Sequence, residues 1–185
     1  MSYSLKDVFY LDAQVNTGTA ASDAADALDL SAYVDPIAKG RSRGVGLAIY
    51  KVHFDVSDDT ANQPVKATTT GQLRCGLIAN PGIGSFDTAS GTTLDAAILR
   101  ASNDLMVAGF DYCAPGTATN AYPNMYQYVN PSTEVHYIVV RDSIAICIDV
   151  VTAFSDAATV SVRLECAQVS LDQATLNQLL RTQTV

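Results

Sequence analysis

Val135-His-Tyr-Ile-Val-Val140, Ile144-Ala-Ile-Cys-Ile-Asp-Val-Val151 and Thr159-Val-Ser-Val-Arg-Leu-Glu-Cys166 follow one another. Only Arg141-Asp-Ser143 and a short polar stretch ending Ser155-Asp-Ala-Ala158 separate them. All three runs are rich in β-branched residues, which favour a pleated, half-buried surface. The last alternates: Val160, Val162, Leu164 and Cys166 share one side, and Ser161, Arg163 and Glu165 the other. Successive strand residues point to opposite faces, so this is a strand with one buried face. The C-terminal third is therefore β-sheet, and the rest of the chain is read outward from it.

Towards the C-terminus, Ser170-Leu-Asp-Gln173 has capping-box spacing, and Leu176, Leu179 and Leu180 fall on one helical face. A short helix is expected near 171–181, either closing the chain's own sandwich or reaching a neighbour. Towards the N-terminus, Met125-Tyr-Gln-Tyr-Val129 reads as an edge strand and Leu105–Tyr112 as another. Thr93–Arg100 reads as a short helix near 93–100, and Leu73, Cys75, Leu77 and Ala79 alternate as a strand. In Gly44–Ser57 the apolar positions change parity, from Val45, Leu47 and Ile49 to Val52, Phe54 and Val56. That change predicts a bulge near Tyr50-Lys51. Val8–Val15 and Leu28–Val34 are further strand candidates, and Asn16–Ala27 reads as a loop or weak helix. The expected organisation is an N-terminal arm over 1–40, packed on the body or on a neighbour, and a β-sandwich body over 41–185. About eight strands punctuated by turns define an all-β sandwich or barrel.

A chain of 185 residues can bury a core without metals or disulfides. Its net charge of −8 disfavours phosphate backbones, so no direct nucleic-acid partner is expected. Charged residues make up only 16%, which leaves a weakly charged surface suited to coverage by neighbours. The most apolar run, Ile144–Phe154, is too short to span a membrane and contains Asp149. The N-terminal sequence has no signal-peptide pattern. Cys75, Cys113, Cys147 and Cys166 lack the close spacing of zinc or redox motifs; free thiols or one disulfide remain open.

Candidate chemistry is sparse. His53 shares a strand face with Asp55, and His136 lies in a separate strand, but neither has a third partner at useful spacing. No Gly-x-Ser-x-Gly elbow accompanies the serines. Asp55-Val-Ser-Asp-Asp59 could offer carboxylates to calcium, yet lacks the glycine and distal glutamate of an EF-hand loop. The glycine-rich Gly40–Gly46 and Pro81–Gly84 lack a phosphate-loop lysine. No enzyme activity, cofactor or small-molecule substrate is expected. Tyr122-Pro-Asn-Met-Tyr126-Gln-Tyr128 places Tyr126 and Tyr128 on one strand face, and tyrosine favours interfaces by pairing an apolar body with a polar tip. A sugar-binding face follows from the same physics.

With a leading arm, the strand-rich run opened by Leu28–Pro36 and Gly44–Ser57, and strands ending in Ser170–Leu180, the chain resembles small single jelly-roll capsid proteins of tailless icosahedral viruses of archaea and bacteria. That resemblance implies a self-assembling virion shell subunit made in the host cytoplasm, with copies of itself and a second capsid protein as partners. The candidate assembly contacts are Arg41, Arg43, Tyr126, Tyr128, Leu176 and Leu180. The tight Arg141-Asp-Ser143 turn points instead to a hairpin, which leaves an immunoglobulin-like sandwich or meander open. A filament or surface-layer subunit, and a carbohydrate-binding module of a spike or fibre, are the alternative functions.

Overall fold

The computed structural model describes residues 8–35, 43–60, 63–79, 96–116 and 122–183. Nine strands run β1 Phe9–Asn16, β2 Ala24–Asp29, β3 Arg43–Asp58, β4 Gly71–Ile78, β5 Met106–Ala114, β6 Asn124–Val129, β7 Tyr137–Val139, β8 Ser143–Thr152 and β9 Ala158–Asp172. A helix, α1, spans Gln173–Thr182, and a 3-10 turn covers Ala96–Leu99.

The strands form two antiparallel sheets, in the orders β1-β9-β3-β7 and β2-β8-β4-β5-β6. With β1 to β5 taken as B to F and β7 to β9 as G to I, the sheets are B-I-D-G and C-H-E-F. That order is a jelly roll, with β6 added outside F. The chain changes sheet at every step except β4 to β5 to β6.

Residues 9–29, within the segment expected as an arm packed on the body or on a neighbour, hold the first strand of each sheet: β1 lies along β9 from Phe9↔Cys166 to Asn16↔Thr159, and β2 lies along β8. Two expectations are corrected here. The strand expected at Leu28–Val34 is displaced to Ala24–Asp29, most of it inside the Asn16–Ala27 segment read as loop or weak helix. Alanine and aspartate are poor strand formers, and here the paired Ile144–Ile148 segment overrides local propensity. The Arg141–Ser143 turn makes no hairpin. It carries the chain from β7 in the first sheet to β8 in the second, because both sides of β8 are already occupied by β2 and β4.

The predicted bulge is present: the β3–β9 register slips between Ile49 and Lys51. Upstream of it Leu47 and Ile49 enter the core. Downstream Val52, Phe54 and Val56 do, facing Leu73, Phe110, Ile146 and Ile148 of the other sheet. Ala48 and Tyr50 then lie on the outer face with Ala167, and the Tyr50 ring sits 5.4 Å from His136. Phe54 and Phe110 meet across the interior with ring centroids 4.7 Å apart. Each such fully buried side chain contributes about 2–3 kcal/mol.

The terminal helix begins later than its capping-box spacing implies. β9 continues through Ser170 and Leu171, and Asp172 is the cap, accepting from the Thr175 amide at 2.7 Å. That hydrogen bond holds the Asp172 carboxyl below its ordinary pKa. The helix folds back on its own sandwich, with Leu176 buried against Val140 and Leu171.

Candidate functional site

The six sequence-predicted contact residues separate into distinct places. Arg41 lies outside the described residues. Arg43 is exposed at the start of β3, opposite Asp172. Leu176 is fully buried, and a Cβ on Gly44 would meet its Cδ2 at 2.6 Å. Leu180 is half-buried in the same cluster. These leucines hold the helix to its own body. The tyrosines lie elsewhere, on β6.

Among the described residues β6 pairs with β5 alone and forms one margin of the five-stranded sheet. Its register runs from Cys113↔Asn124 to Gly109↔Val129, with one extra β6 residue between Gln127 and Val129. Tyr128 is that extra residue, without an opposite number on β5, and it lies over the outer face of the sheet. There a Cβ on Gly109 would meet the Tyr128 hydroxyl oxygen at 2.5 Å, so only glycine leaves room for the ring. The Tyr128 hydroxyl donates to the Leu99 carbonyl at 2.8 Å, and the Arg74 guanidinium lies 5.1 Å from the ring centroid. Burial pushes its phenol up to about 12, against a smaller opposing effect of Arg74. Arg74 in turn is clamped by both Asp111 oxygens, at 2.6 and 2.8 Å. Tyr128 is therefore an internal fixture.

Tyr126 differs. Its side chain is 66% exposed, Met125 is 40% exposed and Tyr122, just upstream, is 91% exposed. Met125 stands opposite Tyr112, whose ring is in the core, and Tyr126 stands opposite outward-facing Asp111. Apolar surface therefore flanks the β6 margin on both sides. Not one charged residue stands between Asp111 and Glu134, and no longer charge-free run occurs in the chain. Beyond β6, Asn130 turns inward and ties the second sheet to the first: its side chain accepts from the Val52 amide and donates to the Val52 carbonyl, both at 3.1 Å.

A second surface lies on the outer face of the first sheet. Its cross-strand rows read Tyr10–Glu165–Lys51, Asp12–Arg163–His53 and Gln14–Ser161–Asp55. The small Ser161 leaves an open trough of about 850 Å³ between its larger neighbours. His53 and Asp55 do share this face, as the sequence indicated, but His53 Nε2 pairs with Glu165 Oε1 at 2.7 Å. Arg163 Nε donates to Asp12 Oδ1 at 2.7 Å and its guanidinium lies 5.8 Å from the Tyr10 ring. The carboxylates of Asp55–Asp59 diverge. Asp59 takes an Asn16 hydrogen bond at 2.5 Å, and no group of three or more His, Cys, Asp or Glu among the described residues is placed to hold a metal ion.

All four cysteines are free; Cys75, Cys147 and Cys166 are buried and Cys113 is exposed. Cys75 faces the interior and Cys147 the outer cluster of the same sheet, so the sheet itself stands between them. No described helix is long and apolar enough to cross a membrane.

Strand order and a filled interior define a single jelly-roll sandwich. No family model and no curated protein matches the chain. Among solved structures it is similar to VP1 of Trichodysplasia spinulosa-associated polyomavirus in complex with GM1 oligosaccharide, at 7% identity over 93% of this chain and 97% of that chain, TM-score 0.42. VP1 of Merkel cell polyomavirus in complex with disialyllactose matches at 7% identity over 91% and 98%, TM-score 0.40. VP1 of Human Polyomavirus 12 in complex with 3'-sialyllactosamine matches at 9% over 90% and 100%, TM-score 0.36. At these identities no residue role is carried from VP1 to this chain.

Proposed function

We propose that this chain is a structural, non-catalytic subunit that assembles with copies of itself into the capsid of a tailless icosahedral virus. The observation that carries the reading is a complete B-I-D-G and C-H-E-F jelly roll, packed solid between its sheets, with an uncharged, tyrosine-rich margin that no other described residue covers. Jelly rolls serve as capsid, lectin and cupin domains, and fold alone does not choose among them. Against the cupin alternative, the space between the sheets is filled by Phe110, Leu73, Ile146 and their neighbours. For a shell subunit, margin and loop contacts repeated around closed symmetry supply the assembly energy. Negative-stain imaging and mass determination across salt and protein concentration test this. Closed shells or discrete capsomers are expected. A chain that stays monomeric throughout refutes self-assembly, and long filaments or flat sheets move the reading to a filament or surface-layer subunit.

A carbohydrate-binding module of a spike or fibre is favoured by one separate observation, the trough on the outer face of the first sheet. Exposed Tyr10 there offers a flat apolar surface, and Gln14, Asp55 and Ser161 offer polar partners. Glycan-array binding abolished by Tyr10→Ala, in a chain that does not assemble, would establish it.

A further inference from the structure

We infer that β6 pairs antiparallel with β6 of a second copy across a twofold axis, joining two five-stranded sheets into one continuous ten-stranded sheet. The inference rests on the self-assembly reading only in requiring contact between copies; it does not require a shell.

A sheet margin presents unpaired amides and carbonyls, and proteins that remain monomeric close such margins with charges, short strands, prolines or covering segments. Three of the four margin strands here are closed. β7 is three residues long, and its outer side is plugged by the Gln183 side chain, whose amide nitrogen donates to the Ile138 carbonyl at 2.6 Å and whose oxygen accepts from the Val140 amide at 3.1 Å. β2 carries exposed Asp26 and Asp29, and the Asp26 carboxylate already accepts from the Ala27 amide at 2.8 Å. β1 carries Asp12, fixed to Arg163. Where β3 extends beyond β7, Asn130 occupies the Val52 amide and carbonyl, and Lys51, His53 and Asp55 stand on the outer face. Among the described residues β6 has none of these devices. Its bulge lies near its C-terminal end and leaves Asn124–Gln127 regular, while Pro123 and Pro131 stand outside the strand.

The choice of a second copy follows from charge. Self-pairing sets a strand against itself, so every charge meets its like within a residue or two. β1 would oppose Asp12 to Asp12, and β2 would oppose its own aspartates. β6 alone of the longer margin strands meets itself without repulsion. Residues opposite one another in a continuous antiparallel sheet share a face. The axis therefore passes through Met125 or Tyr126, and either register sets the exposed thioether and phenol rings of the two copies together. Such an interface is isologous and closes at two copies, leaving other surfaces for higher assembly.

The test is sedimentation equilibrium of the full chain beside Tyr126→Lys, with Val135→Lys as an equally charged change at an exposed apolar position elsewhere. Like charges facing across the axis are expected to weaken the dimer by about 100-fold or more in Tyr126→Lys, with Val135→Lys unaffected. Hydrogen exchange on the unsubstituted chain, needing no variant, should show Asn124–Gln127 amides gaining protection as concentration rises. A chain that is monomeric at every concentration overturns the inference. So does a dimer equally weakened by both substitutions, or one with β6 amides unprotected. Cross-links joining β6 to residues 1–7 of another copy would assign the margin to a neighbour's N-terminal segment and overturn the twofold. Dimers that never form shells would retain the inference and remove the capsid reading. Shells built with β6 unprotected would do the reverse.

Discussion

Gln183→Met tests how the β7 margin is closed. Gln183 is 3% exposed, and methionine matches its length and volume, so packing is largely kept while two hydrogen bonds are lost. Such a bond contributes about 1 kcal/mol net, a loss that becomes about 1–3 kcal/mol where a buried amide is left without a partner. Val140 is fully buried, so water does not replace the lost acceptor there. The Ile138 carbonyl is nearer the surface and is partly rescued by solvent. The expected loss is about 2–3 kcal/mol. For a domain of this length each kcal/mol moves the melting temperature by roughly 2–4 °C, which gives a fall of about 5–10 °C. Circular dichroism melts at low protein concentration measure it, and hydrogen exchange localises it to the Val140 amide. A fall under about 1 °C with the Val140 amide still protected would refute the role given to Gln183. The substitution should also create a second uncovered margin, visible as association that Tyr126→Lys does not suppress.

Gly109→Ala should expel the Tyr128 ring from the sheet and break its bond to Leu99, at a cost of about 1–3 kcal/mol. Ultraviolet titration should then show one phenol moving from about 12 towards 10. Asp149 has a carboxyl pKa raised by burial and by Asp23, with Arg74 opposing. The folded state thus holds its proton more tightly than the unfolded chain does. Ionised Asp149 costs stability above its raised folded value, and that cost disappears as pH falls through the window down to 3.8. Asp149→Asn should accordingly raise the melting temperature at pH 7 and leave it unchanged at pH 3. In the native state one thiol per chain, Cys113, should react promptly with a disulfide reagent. The buried Cys147 and Cys166, pushed up to about 12, and Cys75 should react only after denaturation.

Much of the fold was legible where side-chain period and burial coincide. β9 alternates because one face meets the core, and the parity change in β3 located the bulge to within a residue. β2 was not legible, because Ala24-Ala-Asp-Ala27 carries no strand signal of its own and is ordered by pairing with β8. The sheet change at Arg141–Ser143 was hidden for a related reason. A short turn looks the same whether it joins neighbours or crosses between sheets, and only the occupancy of β8 by β2 and β4 decides it. In the candidate margin, Tyr126 was legible as an exposed tyrosine on an edge strand. Tyr128 misled in another way: it shares the outer face with Tyr126, but it packs over Gly109 beside Arg74 and bonds the Leu99 carbonyl, which leaves it closed to a partner. The unread signal was the charge-free run after Asp111, which marks β6 as unprotected more sharply than its tyrosines do. Leu176 and Leu180 read as an amphipathic face, a pattern that cannot say whether the covering surface belongs to the same chain.

The slip in β3 divides the strand into two numbering frames. Odd residues belong to the interior before it and even residues after it. Removing the single codon for Tyr50 would merge the frames: Lys51 would follow Ile49 directly, and Val52, Phe54 and Val56 would still face inward, at the expense of the outer ring beside His136. A codon lost between Val52 and Val56 would instead turn part of the core outward. For a lineage of such genes, Tyr50 is a position of the strand whose loss leaves the interior in register.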